Sequence, residues 1–367
     1  MEYAKLKKKY VGLDIFRVVC ALMTCAYHTT IFLGATYSIF TPVAKMGAIY
    51  MTAFFMLSGF TLFVNYAGQD IMKIKSLKSF WLKRIIGIIP MYYIVAFLLI
   101  VFRMIIYPST AYDRFILNLW LAPIEALGIQ SNFSSLFDFS HNGLTWFISC
   151  IIMCYLIYPF LQEVIKQLNM RSKIIIIAVS VFILLYSPII VRKLEISSIY
   201  SNPFFRILEF TIGIVLASMK IDLDEIPFVK KRVFNLGSIV TVAIIMMTGI
   251  TVAVNANFAT EDYMMYSCIS LPCFIFILFG LSGIKSKTQE KSKLLSYCSN
   301  ISYVFFLSQW FSNIICMLII EKYNINNNLT KVFLGWITCI IIAIVLHEFL
   351  EKPITKKIRK KFHKTLL

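Results

Sequence analysis

A chain of 367 residues that is 59% hydrophobic and 15% charged, with a mean hydropathy of +0.78, carries more apolar surface than one soluble core can bury, which excludes an ordinary soluble domain. Its formal charge of +18 would suit a nucleic-acid binder if Lys and Arg were gathered on one soluble face, but they are scattered between long apolar runs. Most of the chain must therefore meet lipid.

A hydrocarbon core of roughly 30 Å takes about 20 apolar helical residues to cross. In chain order that measure predicts ten spans, near 11–33, 44–65, 80–106, 144–165, 174–191, 203–219, 233–254, 264–284, 299–320 and 332–350. Strands of about ten alternating residues are absent, and every backbone polar group in lipid needs a partner within its span, so these are helices. The expected fold is all-α, a polytopic membrane bundle of about ten transmembrane helices. With the amino terminus in the cytoplasm, inside segments hold 27 of the 36 basic residues, against six on the outside and its flanks: Lys45, Arg114, Arg192, Lys193, Lys322 and Lys331. An even number of spans then puts both termini inside. The basic excess records topology, and the partner it implies is a lipid bilayer rather than nucleic acid.

The first span is broken by Asp14 and Arg17 and followed by no convincing small-residue cleavage site, so it is expected to be retained. No Pro/Ser/Gly-rich linker divides the chain, which predicts one membrane domain over 1–367 with short basic cytoplasmic tails at 1–10 and 352–367. The longest outside loop, 107–143, holds Asp113, Arg114, Glu125, Asp138 and His141 among aromatic residues and is expected to fold against the outer mouth. The nine cysteines lie in or beside apolar spans as small hydrophobes. Cys150 and Cys154 sit one helical turn apart without a convincing set of further ligands, so no metal is expected.

An ionisable group inside a span costs several kcal/mol unless it is paired or faces water, which makes each one a functional candidate. The first span has Asp14, Arg17 and His28. Eleven residues separate Arg17 from His28, three turns plus about 20°, so the two project from one face about 16 Å apart. A cation near the inner end and an imidazole toward the outer half suit an elongated anionic ligand entering from the cytoplasm, its reactive end meeting a group able to take a proton. The competing structural reading has Arg17 snorkelling, Asp14 pairing with it, and His28 bonded to a neighbouring helix. Lys83 and Arg84, at the inner end of the third span, read either as topology anchors or as phosphate contacts. Arg206 and Glu209 in the sixth span form an i,i+3 pair, either a buried bridge between helices or support for the site. Arg103 is expected to snorkel outward, His347 to hydrogen-bond between helices, and Ser58-Gly59 and Ser302 to serve close packing.

The stretch Tyr10-Val-Gly-Leu-Asp-Ile-Phe-Arg17, followed after ten residues by His28, resembles the opening signature of the acyltransferase-3 family of membrane acyltransferases. Further motifs follow in the family's order. Phe54-Phe55-Met-Leu-Ser58-Gly59-Phe60 is similar to its aromatic-rich second-helix segment, and Trp81-Leu-Lys83-Arg84-Ile-Ile-Gly87-Ile-Ile-Pro90-Met-Tyr92-Tyr93 to the start of its third helix. Trp146 to Ser149, Tyr155 to Pro159, Arg206 to Gly213, Ile301-Ser302-Tyr303 and Glu351-Lys352-Pro353 complete the series. Two positions depart from the pattern. Gly87 stands where a second Arg usually follows Arg84, and Gln309 stands where His often precedes Trp310.

The resemblance implies an O-acyltransferase with an acyl-CoA donor, acetyl-CoA as the expected donor substrate, and a carbohydrate acceptor on a cell-surface polysaccharide or its lipid-linked precursor. It implies His28 as the catalytic residue, acting as general base or carrying the acyl group itself. Arg17, Arg84 and Lys83 are expected to bind the donor, with Asp14, Glu209 and Arg206 in support. The expected location is a bacterial inner or plasma membrane, with envelope polysaccharide assembly proteins as partners. A secondary transporter is the alternative, which the lack of matching halves disfavours, and a scaffold would leave the Arg17 and His28 stripe without purpose.

Overall fold

A computed structural model describes residues 10–106, 108, 115–116, 119–133, 146–194, 200–223, 235–256, 267–284 and 293–366. The described chain is helical throughout, with no strand among the described residues. Its long helices are α1 (Val11–Leu33), α2 (Tyr50–Tyr66), α3 (Ile74–Ile106), α4 (Trp146–Gln167), α5 (Met170–Leu194), α6 (Pro203–Leu223), α7 (Leu236–Asn255), α8 (Ser267–Leu281), α9 (Lys293–Lys322), α10 (Asn328–Leu346) and α11 (Lys352–Leu366). Each predicted span coincides with one of α1 to α10. Eight of the described helices are long and apolar enough to cross a membrane. Of the other two, α8 is short, and α6 carries Arg206, Glu209, Lys220 and Asp222. The chain is an integral, multi-pass membrane protein.

Helices α1, α2, α6 and α9 form the centre. Helix α2 is buried on nearly all sides, whereas α7 buries only Ile239, Met246 and Ile250 along one face and turns Val240, Ile244, Ile245 and Val252 outward to lipid. The closest approach is between α2 and α6. A Cβ added at Gly59 would lie 2.0 Å from the Phe210 carbonyl oxygen, and one at Gly213 1.9 Å from that of Met56, so only glycine lets these backbones touch. That is the close packing expected at Ser58-Gly59.

Prolines inside helices release carbonyls, and neighbours take them up. Pro159 has no N–H for the Tyr155 carbonyl, which accepts the Trp81 indole N–H at 3.1 Å and so ties α4 to α3. Pro188 likewise frees the Leu184 carbonyl, which accepts from Ser187 Oγ at 2.6 Å. On the outer side Asn328 clips the turn after α1, its Oδ1 accepting from Thr36 N at 2.7 Å and its Nδ2 donating to Thr36 O at 2.9 Å.

Part of the outer excursion folds onto the bundle: the short helix Ala122–Leu127 receives hydrogen bonds from the hydroxyls of Tyr92 and Tyr93, and Ser131 bonds to Trp146 and Ser149. Asp113, Arg114, Asp138 and His141 lie outside the described residues, as does the amino-terminal tail before Tyr10. The segment after 352, expected as a tail, is a helix. A π turn, His347–Glu351, joins α10 to α11, which packs back against α3 beneath the bundle.

Candidate active site

At the end of the bundle that the charge bias assigns to the cytoplasm, α1, α2, α3, α4, α9 and α11 enclose a cavity of about 660 Å³. Among the described residues its cations are Arg17, Lys83, Arg84 and Arg359, and its carboxylate is Glu351. Tyr155, Tyr303, Ser58, Ser299 and Ser302 add polar groups, and Phe54, Phe147 and Phe306 close the inner end with aromatic rings. A volume of this size with few polar groups in an apolar lining is typical of a small-molecule site.

Arg17 is held from α9. Ser299 Oγ receives a hydrogen bond from Arg17 Nη1 at 3.2 Å and donates to Asp14 Oδ1 at 2.9 Å, so one hydroxyl joins the charged pair of α1. Arg84 donates from Nη2 to the Tyr66 hydroxyl at 2.8 Å, with its guanidinium 5.2 Å from the Tyr66 ring centroid, 5.8 Å from Phe80 and 5.9 Å from Tyr155. Flat rings hold the cation in place without neutralising it. Arg84 Nε is buried with no hydrogen-bond partner. Gly87 also lines the cavity, and a Cβ there would meet nothing within 4 Å. The side-chain donors and free space both fit an elongated, multiply anionic ligand.

His28 lies beyond the aromatic end. It does not line the cavity but packs 6.5 Å, centroid to centroid, from Phe306, which does, and it also neighbours Tyr27 and Phe32. Its Nδ1 lies 2.6 Å from Gln309 Oε1, and Gln309 Nε2 donates to the Ala21 carbonyl at 3.4 Å. That second bond fixes which way the amide points. Since Oε1 can only accept, Nδ1 carries the proton and Nε2 carries the lone pair, the tautomer a base or nucleophile requires. The residue that departs from the family pattern is therefore the direct partner of the imidazole. Only its place in that motif could have marked Gln309 beforehand.

Arg206 and Glu209 do not line the cavity. Arg206 Nη1 lies 2.8 Å from both oxygens of Glu209, its Nε and Nη2 donate to the Tyr200 carbonyl at 2.9 and 2.8 Å, and Thr52 Oγ1 donates to Glu209 Oε1 at 2.8 Å. Phe55, Trp146 and Tyr200 surround the guanidinium. So complete a set of partners is that of a buried bridge locking α6 to α2. Arg103 stacks 4.9 Å over Trp310, and His347 bonds to Glu351 within its own helix rather than between helices. Arg359 was not picked out by sequence as a member of the site, because its region reads as a tail, and Glu351 was marked only by its place in the closing Glu-Lys-Pro motif.

The cysteines are unbridged, the Cys150 thiol donating to the Ser201 carbonyl at 3.2 Å. The chain matches the acyltransferase-3 family model, described as an acyltransferase domain, over residues 10–348. No curated protein and no solved structure matches the chain. The family match covers nearly the whole helical bundle, including both ends of the Arg17 and His28 stripe, and the chain belongs to the acyltransferase-3 family of membrane acyltransferases.

Proposed function

We propose that the protein is an O-acetyltransferase of a bacterial inner or plasma membrane, passing acetyl from cytoplasmic acetyl-CoA to a hydroxyl of a cell-surface polysaccharide or its lipid-linked precursor. The observation that carries this reading is the line from a cationic cavity at the cytoplasmic end, through Phe306, to an imidazole whose lone pair is on Nε2. Arg17, Lys83 and Arg84 hold phosphates there, and the apolar lining takes the thin arm that leads to the thioester.

Phe306 lines the cavity and packs against His28, so the thioester reaches the imidazole past that ring. In the general-base route, Nε2 takes the proton of the acceptor hydroxyl as its oxygen attacks the thioester carbonyl; the C–O bond forms, the C–S bond breaks, and Nε2 returns the proton to the departing thiolate. In the covalent route Nε2 attacks the thioester carbonyl and the C–S bond breaks as the thiolate leaves; the acceptor oxygen then attacks the cationic acyl-imidazole, the C–N bond breaks, and the hydroxyl proton goes to the thiolate. Both depend on Gln309 keeping the proton on Nδ1. Asp14 and Ser299 hold Arg17 in position, and Arg206 with Glu209 fixes the helices around the site.

Transfer of radiolabelled acetyl from acetyl-CoA to envelope carbohydrate, measured in membranes holding matched amounts of wild type, His28→Ala and Arg17→Ala, tests the proposal. It stands if label appears with the wild type and is lost with His28→Ala. Equal labelling by all three, or accumulation of a labelled solute without transfer, refutes it in favour of transport.

A further inference from the structure

Helix α11 lies beyond the family match, which ends at residue 348, yet it closes the cavity: Arg359 and Phe362 line it together with Arg17, Lys83 and Arg84. Arg359 also lines an adjoining groove of about 1000 Å³ with Asn300, Glu351, Lys356 and Lys360. The groove thus extends the cavity outward, and Arg359 stands where the two meet. A helix serving only as a topology anchor needs its charges on the face turned away from the bundle, where Lys357 and Lys361 project about half a turn from Arg359. Arg359 instead faces the space where a ligand fits.

We propose that α11 reads the ribose 3′-phosphate of coenzyme A, with Arg359 as its contact and Lys356 and Lys360 around it. This inference rests on the acyl-CoA donor proposed above. Its argument is the order of groups along the molecule. Passing outward from the thioester, the diphosphate comes first and the 3′-phosphate last; Arg84 and Lys83 line the inner cavity alone, whereas Arg359 lines both it and the outer groove. The 3′-phosphate is a monoester with close to two negative charges, which the planar fork of an arginine grips with two parallel hydrogen bonds. Glu351 is bonded to His347 and lines both spaces together with Arg359, a carboxylate beside the cation rather than a partner that neutralises it.

The same cations could grip the phosphate of an anionic lipid headgroup, and the experiment separates the two sources. Unacylated CoA and dephospho-CoA are titrated by calorimetry into the detergent-purified full chain, as wild type, Arg359→Ala, Arg359→Lys and Lys357→Ala, with the melting temperature of each recorded. Wild type and Lys357→Ala are expected to prefer CoA by about tenfold. Arg359→Ala is expected to bind CoA only as tightly as dephospho-CoA, whose affinity stays at the wild-type value, and Arg359→Lys to keep part of the preference with unchanged melting. A preference that survives in both Arg359 variants overturns the inference, as does an equal fall in both ligands. Loss of binding to vesicles containing anionic lipid, with CoA preference intact, assigns α11 to the membrane surface instead. If the wild type binds neither nucleotide, the donor reading itself fails and this inference falls with it.

Discussion

His28 Nδ1 and Gln309 Oε1, 281 positions apart in sequence, meet at 2.6 Å in the middle of the bundle. The contact makes a neutral amide the orienting partner of the imidazole. Replacing Gln309 with Leu removes the acceptor and frees the ring to take the other tautomer. We expect kcat for acetyl transfer to fall about 10- to 100-fold with little change in KM for acetyl-CoA, in keeping with a lost hydrogen bond to a buried polar group of about 1–3 kcal/mol. Gln309→Glu keeps the acceptor and should retain more activity than Leu. His28→Ala removes the base or nucleophile and should cost at least about 10²-fold. Steady-state kinetics on reconstituted protein checks the ranking, which fails if Leu and Glu behave alike.

Arg84 separates binding from chemistry in the opposite sense. Arg84→Ala is expected to raise KM for acetyl-CoA about tenfold or more with a smaller change in kcat, and Arg84→Lys to fall between, since an ammonium keeps the charge but not the fork. A kcat loss without a KM change would remove Arg84 from the donor site.

The buried bridge of α6 predicts an effect on stability. Arg206→Met or Glu209→Gln alone strands a partner in the bundle and should lower stability by about 3–5 kcal/mol, while the double replacement Arg206→Met with Glu209→Met should recover much of it. Thermal unfolding in detergent provides the comparison. If the double variant melts like wild type but transfers no acetyl, the pair belongs to the reaction rather than to the scaffold.

Glycines at three positions give a second stability contrast. Gly59→Ala and Gly213→Ala drive a methyl into a backbone carbonyl and should each cost about 3 kcal/mol or more, whereas Gly87→Ala meets open space and should leave melting unchanged to within about 2 °C. Three melting curves decide it.

The helices were legible because lipid forces each crossing to satisfy its own backbone, so about twenty apolar residues in a row have few alternatives. Arg17 and His28 were legible as one face because helical periodicity alone aligns them. The partners that define their chemistry were not. Ser299 and Gln309 reach α1 from α9, almost three hundred residues later, and ordinary polar side chains in an apolar helix announce nothing about what they touch. Arg206 and Glu209 allowed two readings until Tyr200 and Thr52 were seen to complete their hydrogen bonds. Helix α11 was hidden for another reason: its charge suppresses any hydropathy signal, and only docking against α3 shows it as part of the cavity.

The contact at Gly59 and Gly213 also fixes one wall of the cavity. Ser58 faces the cavity while its neighbour Gly59 presses on the Phe210 carbonyl, so behind that wall lies peptide backbone rather than side chains that can turn aside. The helix that forms this wall cannot retreat, because a shift toward α6 would drive its backbone into the Phe210 carbonyl.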